Sequence, residues 1–241
     1  MSKNNKKGII TVIANLKGGS GKSTVTFNLG LWLQMKGQPV VTYDLDPQCT
    51  LSDVAEVRRE EGLTPPLVVY QEQDDLAEQL KIHPGQVLVD VGAANMQAMK
   101  QAIGSADRVL IPVPPSQPDV WATQRFLKIV DEATENGQRP ELLAFVNRAD
   151  THRAVRESDE TEEVLDQIPG IKLVPHRLYQ RTIYRRSLSE GQGVFELSRR
   201  SKAVDEFTVL ANFLYPGVTK SGIKKSGTKG ENVVNIKVGT S

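Results

Sequence analysis

Lys17-Gly18-Gly19-Ser20-Gly21-Lys22-Ser23 separates a β-branched run, Gly8 to Ala14, from a stretch, Thr24 to Lys36, in which Val25, Leu29, Trp32 and Leu33 recur at helical spacing. A buried strand, a glycine-rich turn and a helix, in that order, are the setting a phosphate-binding loop requires. Glycines at 18, 19 and 21 let backbone N–H groups turn inward around phosphate oxygens, and the start of the helix adds its positive dipole. In such a loop Lys22 faces the terminal phosphates and the Ser23 hydroxyl is available to Mg²⁺. Gly18, Gly19, Ser20, Gly21, Lys22, Ser23 and Thr24 are therefore the expected phosphate cradle. A tight strand-to-helix turn that carries Gly-Lys-Ser by chance is the bland alternative, and the acidic strand ends downstream weigh against it.

Gly37 closes the first helix. Val40-Val41-Thr42-Tyr43 reads as a second strand ending in Asp44-Leu45-Asp46-Pro47-Gln48, and Val87-Leu88-Val89 as a third ending in Asp90. Arg108 to Val113, Leu142 to Val146 and Ile171 to Val174 read as three more. Helical patterns fill most of the intervals, for example Val120 to Glu135 and Thr161 to Ile168. Strands alternating with helices predict an α/β fold with a doubly wound, mostly parallel sheet flanked by helices. Asp44 and Asp46, two apart at a strand end, are expected to point to one face, toward the loop. The expected organisation is a basic extension at 1–7, one domain at 8–216, and a flexible basic tail at 217–241 that lacks a helical apolar stripe.

The 241 residues carry 30 Lys+Arg against 29 Asp+Glu, a net of +1 that excludes a uniformly basic nucleic-acid coat. One cysteine excludes a disulfide scaffold, a structural zinc site and a thiolate-held iron–sulfur cluster within a single chain. Met1 to Gly8 is polar and lysine-rich, unlike a secretory signal, and no run approaches the length of a membrane span, so a cytoplasmic location is expected. The near-zero net charge hides segregation. Residues 131–169 hold 11 acidic and 4 basic side chains, whereas residues 171–202 hold 8 basic and 2 acidic. The basic eight are Lys172, Arg177, Arg181, Arg185, Arg186, Arg199, Arg200 and Lys202. Such asymmetry marks a face for a polyanion or a helical surface laced with solvated charge, and composition alone fits both.

The general phosphate-loop pattern has a glycine where this chain has Leu16, and Lys17 comes directly after it. The Lys-Gly-Gly-x-Gly-Lys-Ser form resembles the deviant Walker A motif of the ParA/MinD superfamily, and the resemblance extends over about residues 8–215. It implies a P-loop NTPase fold of the SIMIBI type, Mg²⁺-dependent ATP hydrolysis, and a homodimer closed around two ATP molecules. The early lysine, here Lys17, would cross the dimer interface to the partner's nucleotide. Asp-x-Asp-Pro-Gln is similar to the family's second signature, in which Asp46 orients the attacking water and Asp44 supports the Mg²⁺–serine cluster. Asp90 resembles the Walker B aspartate that holds Mg²⁺ through water, and Gly92 partly keeps the Pro or Gly that relatives often carry after that aspartate. Asn147-Arg148 resembles the pair near adenine, and Pro175 marks a second adenine-side loop. The catalytic set implied is Lys17, Lys22 and Asp46. Ser116 and Asp119 make a capping box.

Within the superfamily, Cys49 alone cannot supply a nitrogenase-reductase-type cluster or a metalloid site. Gly222, Gly227 and Gly230 interrupt any amphipathic membrane helix at the C-terminus, so membrane attachment of the MinD kind is not expected. The resemblance then points to small ParA-like ATPases of the plasmid-partition or carboxysome-positioning type. These are nucleoid-associated, bind double-stranded DNA without sequence preference as ATP dimers, and answer to a ParB-like activator or cargo adaptor. Only seven residues precede the first strand, too few for a helix-turn-helix domain. Alternative readings are an ATP-dependent small-molecule ligase of the dethiobiotin-synthetase type and a MinD-like membrane-associated regulator.

Overall fold

A computed structural model describes residues 8–71, 74–152 and 156–218. The expected extension at 1–7 and the tail from 219 onward lie outside the described residues. The chain runs through β1 (Ile10–Asn15), α1 (Lys22–Met35), β2 (Val40–Asp44), α2 (Thr50–Glu60), β3 (Val69–Tyr70), α3 (Leu76–Ile82), β4 (Gln86–Gly92) and α4 (Met96–Ser105). It continues through β5 (Arg108–Val113), α5 (Gln117–Ala133), β6 (Glu141–Ala149), α6 (Glu157–Asp166), β7 (Lys172–Leu173) and β8 (Leu178–Tyr179). Three helices complete it: α7 (Thr182–Ser189), α8 (Val194–Leu197) and α9 (Lys202–Leu214).

The strands form a sheet in the order β3-β2-β4-β1-β5-β6-β7, with β8 paired to the end of β6. Every pairing is parallel. Period-two alternation splits the core into two layers. Val12, Val87, Val89, Val91, Val109 and Ile111 face α3, α4, α5 and α6. Ile13, Leu88, Leu110, Leu143 and Phe145 face α1 and α9. Strands buried on both faces explain why these segments are continuously apolar in sequence. β1 is central, flanked by β4 and β5, so the turn after it opens where the chain's strand order reverses. Ligands of open α/β sheets bind in that crevice, outside the carboxyl ends of the strands. Among the described residues no helix is long and apolar enough to cross a membrane.

Two expectations shift. β6 runs on to Ala149, so Asn147 and Arg148 belong to the strand rather than to a loop after it. The last expected strand shrinks to Lys172–Leu173, because the chain peels away to form β8.

Two buried polar clasps weld the segment 187–196 to the helices on either side of β2. Asn28, fully buried in α1, donates to the Thr24 carbonyl at 2.9 Å and to Ser187 Oγ at 3.1 Å. Its Oδ1 accepts from Val194 N at 2.8 Å. Arg58 of α2, also fully buried, donates to the Pro65 and Gly191 carbonyls and forms a bidentate pair with Glu196 at 2.8 and 2.9 Å.

Candidate nucleotide site

The loop between β1 and α1 is pinned from three sides. Asn15, buried at the end of β1, accepts from Lys17 N at 3.0 Å and donates to the Pro112 carbonyl at 2.8 Å. Asn147 Nδ2 donates to the Ser20 carbonyl at 2.7 Å, bracing the loop from β6. Gly21 sits at φ 93°, and a Cβ there would lie 2.4 Å from that same Asn147 nitrogen, so no larger residue fits. Gly18 and Gly19 have nothing within 4 Å of a notional Cβ, leaving the space above the loop open. Lys22, at the first position of α1, is buried.

The carboxylates gather beside it. Asp44 ends β2 directly opposite Asp90 of β4, both on the face that α1 covers. Asp44 is not free: its Oδ2 accepts from Ser52 N at 2.8 Å and Ser52 Oγ at 2.9 Å, and its Oδ1 from Asp46 N at 3.3 Å. The expected pairing of Asp44 and Asp46 toward the loop is therefore divided. Asp44 anchors α2 and the turn that carries Asp46, because the Ser52 hydroxyl and N–H saturate one of its oxygens. Asp46 does approach the loop. A Cβ on Gly92 would lie 2.3 Å from Asp46 Oδ2 and 3.5 Å from Lys22 Cε, so the absence of a side chain at 92 lets the carboxylate and lysine stem converge.

Asp90 is fully buried, and neither carboxylate oxygen has a hydrogen-bond partner. Burial pushes its carboxyl up to about 7. The Ser23 hydroxyl, near but outside hydrogen-bond geometry, and the Lys22 ammonium hold the rise back, while the Asp44 and Asp46 charges add to it. A buried carboxylate without donors, beside a serine hydroxyl and facing an open phosphate cradle, is the donor set that a Mg²⁺–nucleotide would satisfy. Among the described residues no cluster of three or more His, Cys, Asp or Glu side chains could hold an ion alone, so the fit is to a cation that brings phosphate oxygens with it.

Two adjoining cavities lead from this point. One of about 370 Å³ lies over Gly18, Gly19, Lys22, Ser23 and Asp46, and one of about 410 Å³ is lined by Thr24, Asn147, Tyr179, Gln180, Thr182 and Tyr184. Gly21 and Arg148 line both, and Arg148 holds a left-handed backbone at φ 58° on the rim between them. Their sizes suit a phosphate chain and a nucleoside. Pro175 lines neither cavity. The second wall of the nucleoside-sized cavity comes instead from Leu178 to Thr182, a stretch with no signal in the sequence, since a two-residue strand has no periodicity to read.

A sequence profile for the CobQ/CobB/MinD/ParA nucleotide binding domain matches residues 11–194. The chain belongs to this ParA/MinD family. The "Maintenance of carboxysome distribution protein A" of Halothiobacillus neapolitanus is 28% identical over 215 residues, covering 87% of this chain and 98% of that protein. "Protein ParA" of Rhizobium radiobacter is 26% identical over 221 residues, covering 88% and 98%. Among solved structures, Cyanothece McdA in its apo form superposes with a TM-score of 0.68 at 21% identity, over 85% of this chain and 98% of that one. A Borrelia burgdorferi plasmid partition protein bound to AMPPNP gives 0.67 at 18%, over 86% and 99%. These superpositions establish the ParA/MinD fold.

Lys17, the lysine peculiar to this ParA/MinD loop, is 44% exposed at the loop's rim, and its Nζ lies 2.8 Å from Asp119 Oδ2 of α5. Ser116 caps α5 by accepting from Asp119 N at 3.3 Å, but the expected capping box is only half formed: Ser116 N donates to the Pro114 carbonyl, and Asp119 Oδ2 takes the Ser116 hydroxyl instead.

The eight basic residues divide evenly. Lys172 pairs with Glu141, Arg177 with Asp159 and Glu162, Arg181 with Glu206, and Arg186 with Glu190. Arg185 on α7, Arg199 and Arg200 before α9, and Lys202 at its start are exposed and have no ion-pair partner among the described residues.

Proposed function

We propose that this ParA/MinD-family chain is a positioning ATPase of the ParA branch: it closes into a homodimer on ATP, binds DNA without sequence preference, and moves or spaces an intracellular cargo. The observation that carries the reading is the half-exposed second lysine, Lys17, at the rim of a preformed phosphate loop. A lysine in that position, once released from its Asp119 ion pair, can reach a nucleotide held by a second subunit. Near end-to-end similarity to a carboxysome-distribution protein and to a plasmid ParA supports the same branch.

In this reading Gly18 to Ser23 and the start of α1 hold the phosphates, with Lys22 neutralising the terminal ones. Ser23 and Asp90 hold Mg²⁺, which supplies charge neutralisation of the phosphate oxygens when bound. Asp46 is placed to orient water, and Asp44, through Ser52, fixes the turn on which Asp46 rides. Asn147 braces the loop, while Arg148 and the Tyr179–Thr182 wall receive the nucleoside. Arg185, Arg199, Arg200 and Lys202 are the cations left free for phosphate contacts, doubled by the dimer. The other four basic residues are already neutralised within the subunit. A partner on the cargo stimulates hydrolysis and releases the protein from DNA, giving a nucleoid-associated location between cycles.

Fluorescence anisotropy of a labelled arbitrary duplex, titrated in Mg²⁺–ATP, Mg²⁺–ADP and no nucleotide over a salt series, tests the reading. Binding in ATP alone, falling steeply with salt, is expected. Equal binding in all three states, or none at low salt, refutes it.

A further inference from the structure

Arg58 is a cation that no step of the proposed chemistry uses, and it is fully buried in the last turn of α2. Burying a guanidinium is unfavourable unless its donors are met. Here Nε donates to the Pro65 carbonyl at 2.8 Å, one terminal nitrogen donates to the Gly191 carbonyl at 2.9 Å, and both terminal nitrogens donate to Glu196 at 2.8 and 2.9 Å. Glu196 is held in turn by the Gly193 N–H at 2.7 Å. The backbones also touch here, since a Cβ on Gly191 would lie 2.7 Å from Arg58 N and 2.8 Å from its Cα. Little else seats the helix. Leu51 and Val54 are its buried apolar side chains, both in a small cluster with Phe27, Leu31 and Leu67.

The other end of α2 belongs to the nucleotide site. Thr50 lines the cavity over the phosphate loop, and Ser52 binds Asp44. The turn that carries Asp46 is continuous with the helix, because Cys49 N donates to the Asp46 carbonyl and Asp53 N to the Cys49 carbonyl, both at 2.9 Å. A helix of 11 residues is a stiff rod about 16 Å long, so a tilt at one end displaces the other. We propose that Arg58 is a positioning residue for hydrolysis: by fixing the far end of α2 on the 191–196 segment, it sets where Asp46 meets the attacking water. The inference rests on the proposed role of Asp46. The phosphate loop does not depend on this strut, since Asn15 and Asn147 brace it from β1 and β6. Loss of the strut therefore touches turnover and spares nucleotide binding.

Phosphate release by the full chain in Mg²⁺–ATP tests this with Arg58→Lys, Glu196→Gln, Asp46→Ala and the Arg58→Lys, Asp46→Ala double variant. Lysine keeps the charge but lacks the fork that reaches Pro65 and both Glu196 oxygens at once. Arg58→Lys is expected to lower kcat about 10- to 100-fold, the cost of misplacing a reacting group by about 1 Å. KM for ATP and the affinity for a fluorescent ATP analogue are expected to change by less than about threefold. Glu196→Gln keeps the partner's shape, removes its charge, and carries the test if the lysine variant does not fold. It is expected to lower kcat about threefold or more, again at constant KM. In the Asp46→Ala background, Arg58→Lys is expected to change the residual rate by less than about twofold. An unchanged kcat in the 58 and 196 variants overturns the strut. So does a fall in kcat with a matching loss of nucleotide affinity, or an equal fall in both backgrounds, as a loosened fold would give. Asp46→Ala that turns over at the wild-type rate overturns the role of Asp46 instead, and that variant alone tells the two failures apart.

Discussion

Replacing Asp90 by asparagine is expected to stabilise the nucleotide-free, magnesium-free protein increasingly as pH rises from about 4 to about 7. The carboxyl is fully buried without a hydrogen-bond partner and is pushed up to about 7 from an ordinary value of 3.8. A raised carboxyl means that the folded chain binds this proton more tightly than the unfolded chain does. Stability therefore falls as pH rises from about 4 to about 7 and levels off beyond, the reverse of a salt-bridged aspartate. The span of about three units corresponds to about 4 kcal/mol. Asparagine has the shape of the protonated acid and no charge to desolvate. Urea unfolding should find the variant within about 0.5 kcal/mol of wild type near pH 4 and up to about 4 kcal/mol more stable near pH 8. Ser23, Lys22, Asp44 and Asp46, the groups that face Asp90, are common to both proteins, so the difference isolates one carboxylate. A variant less stable than wild type near pH 8, or a gain independent of pH, would show that the charge is compensated in the folded state.

Asp46→Ala should retain Mg²⁺–ATP-dependent dimers in sedimentation while phosphate release falls by about 100-fold or more; turnover at the wild-type rate removes Asp46 from the mechanism. Gly92→Ala places a methyl 2.3 Å from Asp46 Oδ2, so hydrolysis should drop while nucleotide affinity, read by a fluorescent ATP analogue, changes by less than about threefold. Four free cations per subunit, doubled in the dimer, set a log–log salt slope for DNA binding of about −7, and charge reversal at Arg185, Arg199, Arg200 or Lys202 should weaken binding far more than reversal at Lys172 or Arg177. A slope near about −14 would mean that the paired cations also reach phosphate.

The phosphate loop, β1, β2 and β5 are legible in the sequence because each rests on local rules: glycine spacing, β-branched runs, and a single helix start. The division of labour between Asp44 and Asp46 is not. It depends on Ser52, which lies in α2, where Asp53, Glu56, Arg58, Arg59 and Glu60 mask the apolar spacing of Leu51 and Val54. Arg58 deepens that disguise, since a residue type that normally faces water is here fully buried and paired with Glu196, 138 positions away. Asn147 resembles an adenine contact in sequence and lines the nucleoside-sized cavity, but the bond by which its Nδ2 braces the Ser20 carbonyl, 127 residues distant along the chain, cannot be read there. Pairing among the basic residues is equally invisible, because net charge counts side chains and not their neighbours.

The Asn28 amide has consequences for how the molecule comes apart. One side chain serves Thr24, Ser187 and Val194 at once, so separating α1 from the α7–α8 segment strands several buried polar groups in a single step. A seam of this kind has no half-open state. The helix that begins at the phosphate loop and the helix that carries Arg185 open together or stay closed together, as one cooperative unit in amide hydrogen exchange.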